Sequence, residues 1–193
     1  MEKIISQKNR LSWLFILSGL IAFFFSFIIT VEKIALVADP SYVPPCSINP
    51  LISCGNIMAS WQASLFGFPN PLLGIAGFAI VTAIGFALLS GAQFKRWFWQ
   101  GIQVGLTLAT IFIYWLFFEA VFRIGSLCPY CMVVWFVTIP LFLYATFYNL
   151  KEGHLGFVIT TKRWHRVAWM GLMYGIIFAA IIWKFWSYWG TFF

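Results

Sequence analysis

Five long stretches of this chain are apolar and nearly free of charge, and that pattern constrains the fold more than any other feature. They lie at about residues 11–31, 71–94, 97–118, 128–150 and 167–189, and each approaches the ~20 residues that a bilayer-crossing helix needs. The chain is 62% hydrophobic and only 9% charged, whereas roughly a quarter of the residues of a soluble domain are charged. In hydrocarbon each backbone amide needs a partner within its own segment, which selects helices over irregular chain. The expected fold is therefore an all-α integral membrane protein with five transmembrane helices in a single domain, residues 1–193.

The net charge of +7 does not point to nucleic acid, because the basic residues stand beside helix ends and form no continuous patch. With alternating spans, Lys3, Lys8, Arg10, Lys95, Arg96, Lys151, Lys162, Arg163 and Arg166 share one side, and Lys33, Arg123 and Lys184 the other. Positive charge collects on the cytoplasmic side of membrane proteins. This bias predicts a cytoplasmic N-terminus and, after five spans, an extracytoplasmic C-terminus. The first apolar stretch is too long for a secretory signal, whose apolar core runs about 7–15 residues, so it is read as a retained span.

Residues 32–70 form the one long outer segment. Pro40, Pro44, Pro45 and Pro50 prevent a continuous helix there. Beyond them Ile57, Met58, Trp61, Leu65 and Phe66 recur at near-helical spacing, which predicts a short amphipathic helix lying on the bilayer or capping the bundle. Residues 151–166 are polar and basic enough to lie along headgroups. Glu119 and Arg123 stand four apart at the outer end of the third span; a carboxylate in a membrane helix is a functional candidate, and the favoured reading is an ion pair that snorkels to water.

All four cysteines fall at the outer face under this topology, where disulfides persist in a bacterium. Four cysteines allow three pairings; the spacing favours Cys46 with Cys54 and Cys128 with Cys131. In Cys128-Pro129-Tyr130-Cys131 the proline suits a first helical turn, so the fourth span begins beside Cys128. The helix dipole stabilises a thiolate there and makes Cys128 the favoured exchanging sulfur. Cys131 sits about 4.5 Å deeper at 1.5 Å per residue. An acceptor reached from that depth must be lipid-soluble, and a quinone, menaquinone or ubiquinone, fits. The proline-rich segment suits a different task, presenting a disulfide to a soluble partner and then carrying a freed thiolate to Cys128. A zinc site is disfavoured by the long Cys46–Cys54 interval, and no metal is expected.

With these residues in view the chain resembles the vitamin K epoxide reductase family, in its bacterial disulfide-forming branch, over roughly residues 11–150. Four features carry the resemblance: Cys46 and Cys54, Ser60 six residues later, the stretch Phe66-Gly67-Phe68-Pro69-Asn70-Pro71-Leu72-Leu73-Gly74, and Cys128-Pro129-Tyr130-Cys131. The disulfide-bond protein B family carries its C-x-x-C before its widely spaced pair, the reverse of the order here. The resemblance implies four helices around a quinone with a fifth packed outside. It also implies that Cys46 is attacked by a thioredoxin-like partner, that Cys54 shuttles to Cys128, and that Cys131 lies beside the quinone. Ser60 and Asn70 match positions near the reactive cysteine and the quinone ring, although alone they read as a helix-surface serine and a turn asparagine.

Animal members carry tyrosine four residues after the second active cysteine, where this chain has Trp135. Trp135 is therefore a candidate wall of the quinone pocket or a packing residue, and vitamin K epoxide is a poor substrate candidate. Many bacterial relatives continue into a thioredoxin-like domain, and this chain is expected to act on a separate one. The expected function is quinone-dependent disulfide oxidation at the bacterial cytoplasmic membrane. The alternatives are a transporter or scaffold with structural disulfides and, less favoured, a quinone epoxide reductase.

Overall fold

A computed structural model describes the backbone of residues 2–186 and the side chains of residues 9–186. It is helical, with α1 Glu2–Ala38, α2 Cys54–Ala59, α3 Pro71–Leu89, α4 Arg96–Phe118, α5 Pro129–Lys151 and α6 Arg163–Lys184. Five of these helices are long and apolar enough to cross a membrane. The end of the predicted fifth span, residues 187–189, lies outside the described residues.

Several boundaries differ from expectation for local reasons. The first helix runs through Ala38 and so carries Glu32 and Lys33, which were expected in the outer segment. Nothing before Asp39-Pro40 breaks it, and proline disfavours helical backbone in the residue preceding it. The third helix starts as expected at Pro71 but stops at Leu89 rather than residue 94: Ser90 turns its hydroxyl back to the Phe86 carbonyl and Gly91 takes a φ of +91°. The predicted amphipathic helix is divided in two. α2 ends at Ser60, which has extended backbone, and a 3-10 turn follows at Trp61–Ser64. The fourth helix continues past Phe118 as a π-helical turn, Glu119–Ile124, and ends where Gly125 adopts the left-handed conformation.

The bundle is built around α1, which packs on α3 and α5, while α4 packs on α5. Close approach of α1 to α3 depends on small residues, the usual device for helix contact in lipid. A Cβ placed on Gly85 would come within 2.8 Å of the Ile16 backbone nitrogen. Gly85→Ala therefore forces the two helices apart and should cost about 1–3 kcal/mol, read as a lowered melting temperature of the detergent-solubilised protein. Between α4 and α5 the contact is polar: Gln103 donates to Thr146 at 2.8 Å, and Asn149 donates to Gln103 at 2.9 Å.

The fifth span, α6, lies against α5 and the π-turn. Proline lacks an amide, so Pro140 inside α5 leaves the Phe136 carbonyl without its helical donor. The Tyr174 hydroxyl of α6 donates to that carbonyl, and the Tyr114 hydroxyl of α4 donates to Met173 O at 2.9 Å. α6 is otherwise largely exposed, as expected of a peripheral helix.

Candidate active site: four cysteines under a lid

The C-terminal ends of α1 and α4 and the N-terminal ends of α3 and α5 meet at one end of the bundle, and residues 39–70 cover it as a lid. Its first part is held by short-range bonds. Asn49 Oδ1 accepts from the Leu51 and Ile52 amides at 3.0 and 2.7 Å, and the Gly55 amide donates to Ser47 Oγ at 3.1 Å. These turns fold the chain back on itself, so that Cys46 and Cys54 are joined in a disulfide.

The register between lid and bundle comes from a two-residue parallel bridge. Leu127 N donates to Leu51 O at 2.7 Å, and Ser53 N donates to Leu127 O at 3.0 Å. Cys54 and Cys128 are the next residues along the two paired segments, and their Sγ atoms stand 3.2 Å apart. The Asn56 side chain donates to Ser126 Oγ at 3.0 Å, and Ser126 in turn donates to Pro50 O at 3.0 Å, which fixes the same register from the side.

Cys128 is the N-cap of α5, and its Sγ accepts from the Cys131 amide at 3.4 Å. Its pKa is lowered from the ordinary thiol value. The hydrogen bond from the Cys131 side chain is the largest cause, and the Cys131 and Tyr130 amides add to it, together outweighing desolvation by burial. A sulfur stabilised as thiolate is the better nucleophile for exchange. Cys128 and Cys131 are both free thiols. The four cysteines share one apolar cluster with Ile29, Met58, Ile57 and Tyr130, so they gather as expected, but only Cys46 and Cys54 are bonded, and the expected Cys128–Cys131 pair is in the dithiol form.

The other expected site residues take different local roles. Ser60 Oγ donates to Ile57 O at 2.7 Å, closing the end of α2. Asn70 is buried, its amide donating to Gln62 O at 2.6 Å and its Oδ1 accepting from Leu65 N at 3.0 Å. It thus ties the 3-10 turn to the start of α3, and its amide carries a second hydrogen. Trp135 is buried one turn beyond Cys131, its ring edge-on to Phe117 at 5.5 Å. Cys131 packs against the apolar cluster that contains Trp135 and Phe117.

The expected ion pair forms, but its exposure is corrected. Arg123 Nε lies 3.6 Å from Glu119 Oε1, but the arginine side chain is 65% exposed and the glutamate only 7%. The π-turn directs Glu119 inward, where Gln62 Nε2 donates to its Oε2 at 3.0 Å. Sequence reasoning missed Gln62 as a partner, since one amide in an amphipathic stretch is ordinary. It also missed Lys33, whose ammonium donates to Met58 O at the end of α2.

Comparison with known proteins agrees with this arrangement. The chain matches the vitamin K epoxide reductase family over residues 13–146, a range that begins in α1, takes in the whole lid and ends in α5. No curated protein matches it individually. The five apolar helices make it a multi-pass membrane protein, and with all four cysteines inside the matched range the chain belongs to the vitamin K epoxide reductase family.

Proposed function

We propose that this protein is a quinone-dependent thiol–disulfide oxidoreductase of the bacterial cytoplasmic membrane. It reoxidises a separate thioredoxin-like protein outside that membrane and so drives disulfide formation in exported proteins. The observation that carries the reading is the 3.2 Å contact of Cys54 Sγ with Cys128 Sγ, with Cys54 already bonded to Cys46. That geometry brings the two pairs together at one sulfur–sulfur contact, which purely structural disulfides do not need.

The reaction follows by thiolate exchange. A partner thiolate attacks Cys46, the Cys46–Cys54 bond breaks, and Cys54 leaves as thiolate. The partner's second thiolate then displaces Cys46, which completes the partner's own disulfide. Cys54 next attacks Cys128 of an oxidised helix pair and Cys131 leaves as thiolate. Cys46 displaces Cys128, which restores the loop disulfide and leaves a dithiol at Cys128 and Cys131.

The apolar, aromatic cluster that Cys131 packs against fits a quinone ring, and at the position the family resemblance gives it, Asn70 would offer its second amide hydrogen to the ring oxygen. A quinone bound there supplies the two-electron sink for the dithiol. Trp135 would wall that space and exclude water, and Ser60 would hold the end of α2 beside the reactive sulfurs. The basic residues Lys95, Arg96, Lys151, Lys162, Arg163 and Arg166 lie at the end of the bundle away from the cysteines. Their position supports placing the cysteines on the extracytoplasmic face.

Thiol trapping in intact membranes tests the reading. When the quinone pool is held reduced, Cys128 and Cys131 should accumulate as thiols, and reoxidising the pool should return them to the disulfide. Two bridges that stay oxidised under both conditions would identify a scaffold or transporter with structural disulfides.

A further inference from the structure

Glu119 is a carboxylate buried at the end of an apolar helix, and the proposed exchange makes no use of it. The π-turn that carries it, Glu119–Ile124, is a rare conformation often found at functional positions. Its Oε2 accepts from Gln62 Nε2 at 3.0 Å, and Gln62 O in turn accepts from Asn70 at 2.6 Å. On the opposite flank Lys33 of α1 donates to Met58 O. The lid segment that bears Cys54 is thus held to the bundle by a charged side chain on each side.

The held position serves one half of the exchange and blocks the other. Cys54 and Cys128 are in contact, but Cys46 is only 5% exposed. A soluble protein's thiolate has no approach to Cys46 until the lid lifts. A hydrogen bond to a carboxylate is stronger than one between neutral groups, so its loss shifts the balance between the two positions.

We propose that Glu119 is a positioning residue for thiol exchange: its hydrogen bond to Gln62 latches the cysteine-bearing lid onto the bundle, favouring contact of Cys54 with Cys128 over access to Cys46. The proposal rests on the redox reading above. In the latched position the freed Cys54 thiolate attacks Cys128 of the helix disulfide, a Cys54–Cys128 bond forms, the Cys128–Cys131 bond breaks, and Cys131 leaves as thiolate; without Cys131 the same contact lets the Cys128 thiolate attack Cys54, and Cys46 leaves as thiolate. With the latch released, an external thiolate attacks Cys46 and Cys54 leaves instead.

Two rates measured on the full chain in detergent test the latch. The first is formation of the Cys54–Cys128 bond in a Cys131→Ala background. The second is reduction of the loop disulfide by added glutathione in a Cys128→Ala, Cys131→Ala background. Glu119→Ala and Gln62→Ala should each slow the first about ten-fold and speed the second by a similar factor, as expected for a lost hydrogen bond to a charged group.

Glu119→Gln should recover part of both changes, because an amide oxygen still accepts. The Gln62→Ala, Glu119→Ala double variant should match the single variants, since both remove one interaction. Unchanged rates, both rates falling together, or effects that multiply in the double variant would overturn the latch. If Glu119→Ala does not fold, Gln62→Ala on the lid side carries the same comparison. Failure of Cys131→Ala to form the Cys54–Cys128 bond with Glu119 intact would instead reject the redox reading.

Discussion

Cys131→Ala will lower electron transfer to quinone by at least roughly a thousand-fold, the scale of loss when an essential reacting group is removed, and it will leave a Cys54–Cys128 bond trapped. Cys128 keeps its contact with Cys54 at 3.2 Å in this variant, and the N-terminus of α5 still favours its thiolate. Without Cys131 it has no neighbour with which to form the helix disulfide. It exchanges into the loop disulfide instead and releases Cys46 as thiolate. Non-reducing electrophoresis after alkylation should show one internal crosslink with Cys46 and no other cysteine labelled. Normal quinone reduction by this variant would remove Cys131 from the electron path.

Cys54→Ala should abolish turnover to a similar extent by a different route. Cys46 then lacks its intramolecular partner, and its thiolate attacks the disulfide of an oxidised thioredoxin-like protein. A mixed disulfide forms between the two proteins, and the partner's other sulfur leaves as thiolate. The thiolate released on the partner can reverse this attack, so acid quenching and alkylation are needed to hold the adduct, which can then be identified by mass spectrometry. An adduct attached through Cys128 instead, in a variant with Cys46 intact, would contradict the assignment of Cys46 as the entry point.

These outcomes rest on features that were legible in the sequence to different degrees. The spans were readable because hydrocarbon demands long apolar helices, and all five expected stretches fall on helices long and apolar enough to cross a membrane, with several ends displaced. Boundaries shifted where single residues act through local hydrogen bonds that hydropathy does not record. Ser90 ends α3 early, and Ser60 divides the predicted amphipathic helix. The pairing of Cys46 with Cys54 followed from spacing and is observed.

Glu119 illustrates the opposite case. A four-residue interval to Arg123 implied a pair on one exposed helical face. The pair forms at 3.6 Å, but at the start of the π-turn the carboxylate is buried while the guanidinium is exposed. Gln62, its partner, is distant in sequence and carries no distinguishing pattern. Asn70 and Ser60 are likewise ordinary turn and cap residues by local criteria, and their hydrogen bonds to Gln62, Leu65 and Ile57 depend on how the lid folds.

By itself the sequence determined that this protein crosses a membrane in five helices, because an uncharged apolar run has few other stable environments. It also determined that the cysteines form one close pair at a helix mouth and one wide pair in a proline-rich segment, because proline and helix geometry act locally. Only the tertiary structure supplied what holds Cys54, the sulfur that the family resemblance assigns to the helix, against Cys128. The parallel bridge between residues 51–53 and Leu127 sets that register, and backbone pairing between segments more than seventy residues apart leaves no periodic trace along the chain. The burial of Glu119 was decided in the same way, by a lid whose contacts exist only after the helices have assembled.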